Sequence, residues 1–440
     1  MSWRPAAVPA ASGRLFNSVD RGPGVPGTRG VPGTRGVPGT RGVPVDWLAM
    51  SAEPELESTA QRSGTAGPIP ASAAWREGDP IGHRQFLDLG PLELEAGGRL
   101  PEVRLAYETW GTLNEARDNA VLVEHALTGD SHVYGPAGPG HLTSGWWETL
   151  VGPGAPIDTE RYFVVCANVL GGCQGTTGPA SIAPDGRPWG SRFPYVTQRD
   201  QVTTEIALSD ALGIDAWALI VGASMGGMRV LEWGIMAPAR ARRLAVIAAT
   251  AESSADQIAW AHPQLTAIRL DPNFRGGDYY DAAPGEGPHR GLGIARQIAH
   301  TTYRSATELD ARFGREPQGG ERPIGGGGRF TVQSYLDHHG EKLARRFDAN
   351  SYLVLTESVL SHDVGRDRGS VEAALARITA RTLVVAVETD RLYLTDQLER
   401  IAAGVPGAGP AYVLHSHEGH DGFLVEFQQL GTLVAEFLAE

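Results

Sequence analysis

Lysine is nearly missing from this chain of 440 residues: Lys342 is the only one, and arginine carries almost all of the positive charge. A P-loop places a lysine directly after its glycines, and pyridoxal phosphate enzymes hold their cofactor on a lysine Schiff base. Lys342 lies in "HHGEKLARR", which reads as an exposed amphipathic helix, so no bound cofactor of either kind is expected. Cysteine is scarce as well. Cys166 and Cys173 are the only two, and their spacing matches neither a redox pair nor a zinc knuckle. Two cysteines in so long a chain point to reduced, buried thiols in a cytoplasmic protein. Basic charge is outweighed: the net charge of −13 provides no basic footprint for nucleic acid. No apolar run approaches the ~18 residues of a membrane helix. The N-terminus has arginines but lacks the continuous apolar stretch of a secretory signal. Neither nucleic acid nor membrane is therefore an expected partner.

What is present is unevenly arranged. "VPGTRG" occurs three times in tandem from Val25 to Gly42 and restarts at Val43. Proline and glycine fill half of each unit, so the segment cannot form a helix and has almost nothing to bury. Residues 1–80 are expected to be a disordered extension. From about Phe86 the pattern becomes orderly. "FLDLGPLELEAGGRLPEVRLAYETWG" reads as two strands with a turn at Ala96 to Gly98. "NAVLVEHALTGD" and "RYFVVCANVLGG" each read as a short buried strand running into a loop. "AWALIVGASMGGMRVLEWGIMAP" reads as strand, sharp turn and helix. Short apolar strands alternating with helices predict an α/β fold with a mostly parallel sheet covered on both faces. From Glu252 to Asn350 the strand signals stop and helices joined by glycine-rich loops replace them. That division predicts a core over 81–251, a helical lid over 252–350, and the rest of the core over 351–440. Such a lid would sit over the carboxyl edge of the sheet, where α/β proteins bind ligands.

Within the strand–turn–helix stretch, Gly222-Ala223-Ser224-Met225-Gly226 fits the nucleophile elbow G-x-S-x-G of the α/β-hydrolase fold. The serine must adopt a strained turn, and side chains two residues to either side would collide, so glycine occupies both places. The Met225 amide, at the start of the following helix, is placed to donate to an oxyanion. A second donor is expected from the loop after an early strand, where "EHALTGDSHV" puts the amide of Leu127. His125 and His132 in that loop read as structural. A serine nucleophile needs a base, and the base an orienting acid. In this fold they follow in the order serine, acid, histidine. Asp390 ends the strand of "LVVAVETD" and is preferred to Glu388 inside it. "YVLHSHEGHD" offers His415, His417 and His420, of which His420 sits in a loop after Gly419. H-x-H-x-x-H is also a zinc-ligand pattern, but no second dense cluster of ligands accompanies it.

"HALTGDSHV", "NVLGGCQGTTGP", "RFPYVTQRDQV", "GASMGGMRVLEW", "RFDANSYL" and "GHDGFL" together resemble the homoserine O-acetyltransferase family of α/β-hydrolase-fold acyltransferases. The resemblance runs from about Phe86 to the C-terminus. It implies acetyl-CoA as acyl donor, an acyl intermediate on Ser224, L-homoserine as acceptor, and a ping-pong cycle in methionine biosynthesis. It further implies Arg296, in "GLGIARQIAH", for the amino-acid carboxylate, Asp421 for its ammonium group, and a homodimer through the lid. Ala223 and Thr176 depart from the residues common in the family. A succinyl donor, a serine acceptor, or hydrolysis by the same triad in an esterase or thioesterase are the alternatives.

Overall fold

The computed structural model describes residues 67–440; the tandem repeats of residues 25–42 lie outside the described residues. Gly97 and Gly98, both at positive φ, a region open to glycine, turn β1 (Gln85–Glu93) back onto β2 (Arg99–Trp110) as an antiparallel pair. The strands β3 (Ala120–Glu124), β4 (Phe163–Ala167), β5 (Leu219–Ala223), β6 (Arg243–Ile247), β7 (Arg381–Val387) and β8 (Tyr412–Leu414) follow. All eight form one sheet in the order β1-β2-β4-β3-β5-β6-β7-β8. β2 meets β4 antiparallel, and every pairing from β4 to β8 is parallel. The order reverses at β3, which has β4 on one side and β5 on the other. A crevice at the carboxyl ends of the strands belongs at such a switch point.

Aliphatic residues fill "AVLVE" and "LIVGA" because both faces of β3 and β5 are covered. Successive side chains point to opposite faces. Leu122, Ile220 and Val246 pack on one side against Val202 of α1 (Gln198–Ala211) and Met228 and Leu231 of α2 (Met225–Met236). Val121, Val221 and Ile247 pack on the other against Leu430, Val434 and Leu438 near the C-terminus. Each fully buried aliphatic side chain contributes roughly 1.5–3 kcal/mol. The two cysteines are free thiols, both buried. No helix among the described residues is long and apolar enough to cross a membrane.

After β6 the chain leaves the sheet for α3 (Ala255–Leu270), α4 (His289–Tyr303), α5 (Ala306–Phe313), α6 (Thr331–Ala344) and α7 (Ala349–Leu360). Two corrections to the expected boundaries follow. The lid does not end at residue 350, which lies inside α7. Its neck is a short antiparallel bridge in which Ser253 N–H donates to His362 O and Val364 N–H to Ala251 O. Helix α7 stays with the lid because Tyr352 is buried against α3, its hydroxyl donating to Gln264 (2.6 Å). The extension also does not run to residue 80. From 67 onward the chain packs on the body: Trp75 N–H donates to Cys173 O (2.9 Å), Ser72 Oγ donates to Asp348 (2.7 Å), and Ala74 joins the apolar core of the lid. The expectation of disorder rested on the tandem repeats, whereas residues 67–80 lie beyond them, and an irregular segment can still bury side chains and find partners for its backbone. The chain closes with α8 (Val371–Leu375), α9 (Thr395–Gly404), α10 (Gly422–Val425) and α11 (Phe427–Ala439).

Candidate active site

Ser224 stands between β5 and α2 with φ 57° and ψ −126°, a conformation costly for any residue but glycine. The surroundings hold it there. Ser224 N–H donates to Ile247 O on β6 (3.0 Å), and Met228 N–H on α2 donates back to Ser224 O (3.2 Å). A Cβ on Gly226 would lie 2.1 Å from Glu124 O, and one on Gly222 would lie 2.6 Å from the Gly226 carbonyl carbon. The elbow therefore crosses β3 closer than any side chain allows, which is why glycine flanks the serine.

His420 Nε2 lies 3.0 Å from Ser224 Oγ, and His420 Nδ1 lies 2.7 Å from Asp390 Oδ2. A carboxylate only accepts, so Nδ1 carries the proton and Nε2 is left to receive the serine proton. Asp390 is held in turn: its Oδ1 accepts from the amides of Leu392 (2.8 Å) and Tyr393 (3.0 Å). The rings of Tyr303, Tyr393 and Phe423 surround the imidazole at 5.2–5.6 Å between centroids. Burial disfavours the imidazolium, but the Asp390 carboxylate outweighs it and raises His420 above the ordinary histidine value.

The other two histidines do not join this group. His415 is exposed and pairs with Glu388 (3.2 Å), and His417 is exposed. The H-x-H-x-x-H spacing therefore gathers no metal ligands. Among the described residues, one cluster brings three potential ligand atoms within 4.8 Å of one another: Glu108, His132 and His141, all buried. Its hydrogen bonds suit protons better than an ion. His132 has an acceptor at each nitrogen, Glu108 Oε2 at 2.9 Å and Gly135 O at 3.1 Å. A protonated ring satisfies both. The His132 and His141 rings stack in parallel at 3.8 Å, so their in-plane lone pairs cannot converge on one ion.

Leu127 follows β3 inside a turn closed by Gly129 N–H donating to Ala126 O (2.9 Å). Met225 is the first residue of α2, and an amide in the first turn has no partner within its own helix. Thr128, next to Leu127, meets two guanidinium groups: Arg296 Nη1 reaches its hydroxyl (3.5 Å) and Arg346 Nη1 donates to its carbonyl (2.7 Å). Arg296 also lies over the Tyr303 ring (5.2 Å), and no carboxylate among the described residues is within ion-pairing distance of it. Asp421 precedes α10 at its N-cap position, but its side chain does not cap the helix. Instead it pairs with Arg304 Nε (3.4 Å), while the same guanidinium also binds Glu418 and Tyr335. Burial pushes the Asp421 carboxyl up, against the pull of Arg304 and His420. Arg304 and Arg346 escape sequence reasoning, since nothing in "TTYRSATE" or "LARRFD" separates them from surface arginines.

A family model described as the alpha/beta hydrolase fold matches residues 119–427. The chain is 62% identical over 377 residues to a homoserine O-acetyltransferase of Thermobifida fusca (strain YX), covering 86% of this chain and 99% of that protein. Among solved structures, a homoserine O-acetyltransferase from Bacillus anthracis superposes with a TM-score of 0.74 at 26% identity, over 81% of this chain and 97% of that one. Esterase E22 superposes almost as well, with a TM-score of 0.73 at 26% identity over 81% and 99%.

Proposed function

We propose a function from one premise: the chain belongs to the homoserine O-acetyltransferase family, and is an acyltransferase of the α/β-hydrolase fold. It transfers the acetyl group of acetyl-CoA to the hydroxyl of L-homoserine, by a ping-pong cycle through an acyl-serine, in methionine biosynthesis. The observation that carries this reading is the continuous contact from Ser224 Oγ through His420 to Asp390. Ser224 Oγ attacks the thioester carbonyl as its proton passes to His420 Nε2. The amides of Leu127 and Met225 hold the oxyanion. Collapse expels the CoA sulfur, which takes the proton from His420. The homoserine hydroxyl then gives its proton to His420 and attacks the acyl-serine, and the released Ser224 recovers that proton. Arg296 receives the amino-acid carboxylate and Asp421 the ammonium group, while Arg304 favours the ionised form of Asp421 against burial and aims it.

The near-equal superposition with esterase E22 keeps hydrolysis as the second reading, because water reaching the acyl-serine would complete an esterase cycle with the same residues. Release of free thiol from acetyl-CoA, followed with and without homoserine, separates the two. Thiol release that requires homoserine supports transfer, and equal release without it supports hydrolysis. Succinyl-CoA and serine in parallel assays define donor and acceptor. Ser224→Ala is expected to abolish release; full activity in that variant would remove Ser224 from the mechanism.

A further inference from the structure

His125 is the first residue after β3, is fully buried, and has no proton-transfer role in the cycle above. Its surroundings nevertheless specify its protonation. Val169 N–H points at His125 Nε2 from 3.0 Å. A backbone amide can only donate, so Nε2 is the bare nitrogen and the proton sits on Nδ1. Nδ1 lies 2.8 Å from the carbonyl oxygen of Ala126. That oxygen also receives Gly129 N–H (2.9 Å), and a Cβ on Gly129 would press to 2.9 Å from His125 Cβ. The Ala126 carbonyl is thus fixed from two sides. In a trans peptide the C=O and the following N–H point in opposite directions in one plane. The peptide that ends in the Ala126 carbonyl at one side carries the Leu127 N–H at the other.

We propose that His125 is the positioning residue of the oxyanion hole: its Nδ1–H grips the Ala126 carbonyl and thereby aims the Leu127 amide across the active site. The inference rests on the reading of Leu127 as an oxyanion donor. It extends to the second donor, because Arg229 on α2, the helix that begins with Met225, donates through Nη2 to the carbonyl of His125 itself (2.7 Å). One residue therefore joins the carriers of both amides. Burial, with the Arg229 charge adding to it, pushes His125 down to about 3, so the ring keeps this single tautomer across the working pH range.

Two substitutions test the proposal, since asparagine places an amide where Nδ1 stood and glutamine reaches to where Nε2 stood. The readout is the pre-steady-state burst of p-nitrophenol from p-nitrophenyl acetate, which reports acylation of Ser224 whatever the natural donor and acceptor are. His125→Asn is expected to keep the burst rate within about threefold, and His125→Gln to slow it by about 10–100-fold with ester binding unchanged, less than the roughly 10²–10³-fold that outright removal of an oxyanion donor costs, because the amide is misaimed and not lost. The acid limb of the pH profile is expected not to move in either variant. A wild-type burst rate in His125→Gln, or equal losses in both variants that follow their loss of stability in urea, would overturn the positioning role alone. Turnover of the ester by the wild-type protein with neither a burst nor an acetyl group trapped on Ser224 in mass spectrometry would strike the acyl-serine reading and this inference with it.

Discussion

Arg229 binds Glu205 through Nη1 (2.9 Å) and reaches Glu124 through Nη2 (3.2 Å), with all three side chains at most 1% exposed. Glu205 also accepts from Trp233 Nε1 (3.0 Å). One guanidinium thus meets two carboxyl groups beneath the elbow and ties α1, α2 and β3 together. Burial drives the Glu124 carboxyl well upward, and Arg229 only partly opposes this.

Removing Arg229 should therefore cost far more than its packing. Arg229→Met keeps most of the volume but leaves Glu205 buried without its counter-charge, and breaking such a pair from one side costs about 3–5 kcal/mol. Urea unfolding of the variant is expected to show a loss of that order. A loss under about 1 kcal/mol would mean that water or a neighbouring group compensates the carboxylates instead.

The second prediction concerns pH and activity. Ser224 can lose its proton only to a neutral His420, and Asp390 raises His420 above the ordinary histidine value of about 6.5 despite burial. A raised value favours the imidazolium, so activity should fall as pH drops through a point above about 6.5. Rates of acylation measured from pH 5 to 9 should show this acid limb. In Asp390→Asn the limb should shift to lower pH and the maximal rate should fall by about 10⁴, because asparagine can also donate to Nδ1 and leave the wrong nitrogen protonated. An unmoved limb in that variant would show that another group governs the titration.

Much of the site is legible in the sequence because its constraints are local. The glycines at 222 and 226 are demanded by the closeness of the elbow to Glu124, and so they surround the serine in the chain as well. Asp390 and His420 lie in the segments that follow β7 and β8, so the order of strands orders them. What escapes is set by contacts between distant segments. No spacing announces that Arg304, and not Arg296, holds Asp421. The neck of the lid joins residues 251–253 to 362–364, and helix α7 looks in sequence like any helix of the core. His132 reads as structural in the sequence, but its partner Glu108 lies on β2, 24 residues earlier.

That pair supports the last prediction, on stability and pH. Burial alone would push Glu108 up, yet the hydrogen bonds it accepts from His132 and Ser131 outweigh it and hold the carboxyl below its ordinary value. Burial would likewise lower His132, and the bond and charge of Glu108 reverse that and raise it. The two signs differ. A raised histidine contributes stability that is fully present below its unfolded value of about 6.5 and is lost as pH rises through its folded value. A lowered carboxyl contributes stability present above its unfolded value of about 4.3 and lost as pH falls through its folded value. Both contributions are complete only between about pH 4.3 and 6.5. Glu108→Gln keeps the shape and a hydrogen-bonding oxygen but removes the charge. The difference in unfolding free energy between wild type and Glu108→Gln should therefore be greatest near pH 5–6 and shrink on both sides. Urea unfolding at pH 4, 5.5 and 8.5 measures it. A difference that stays constant across the three, or grows toward pH 8.5, would show that His132 is neutral beside Glu108 and that the pair is an ordinary hydrogen bond.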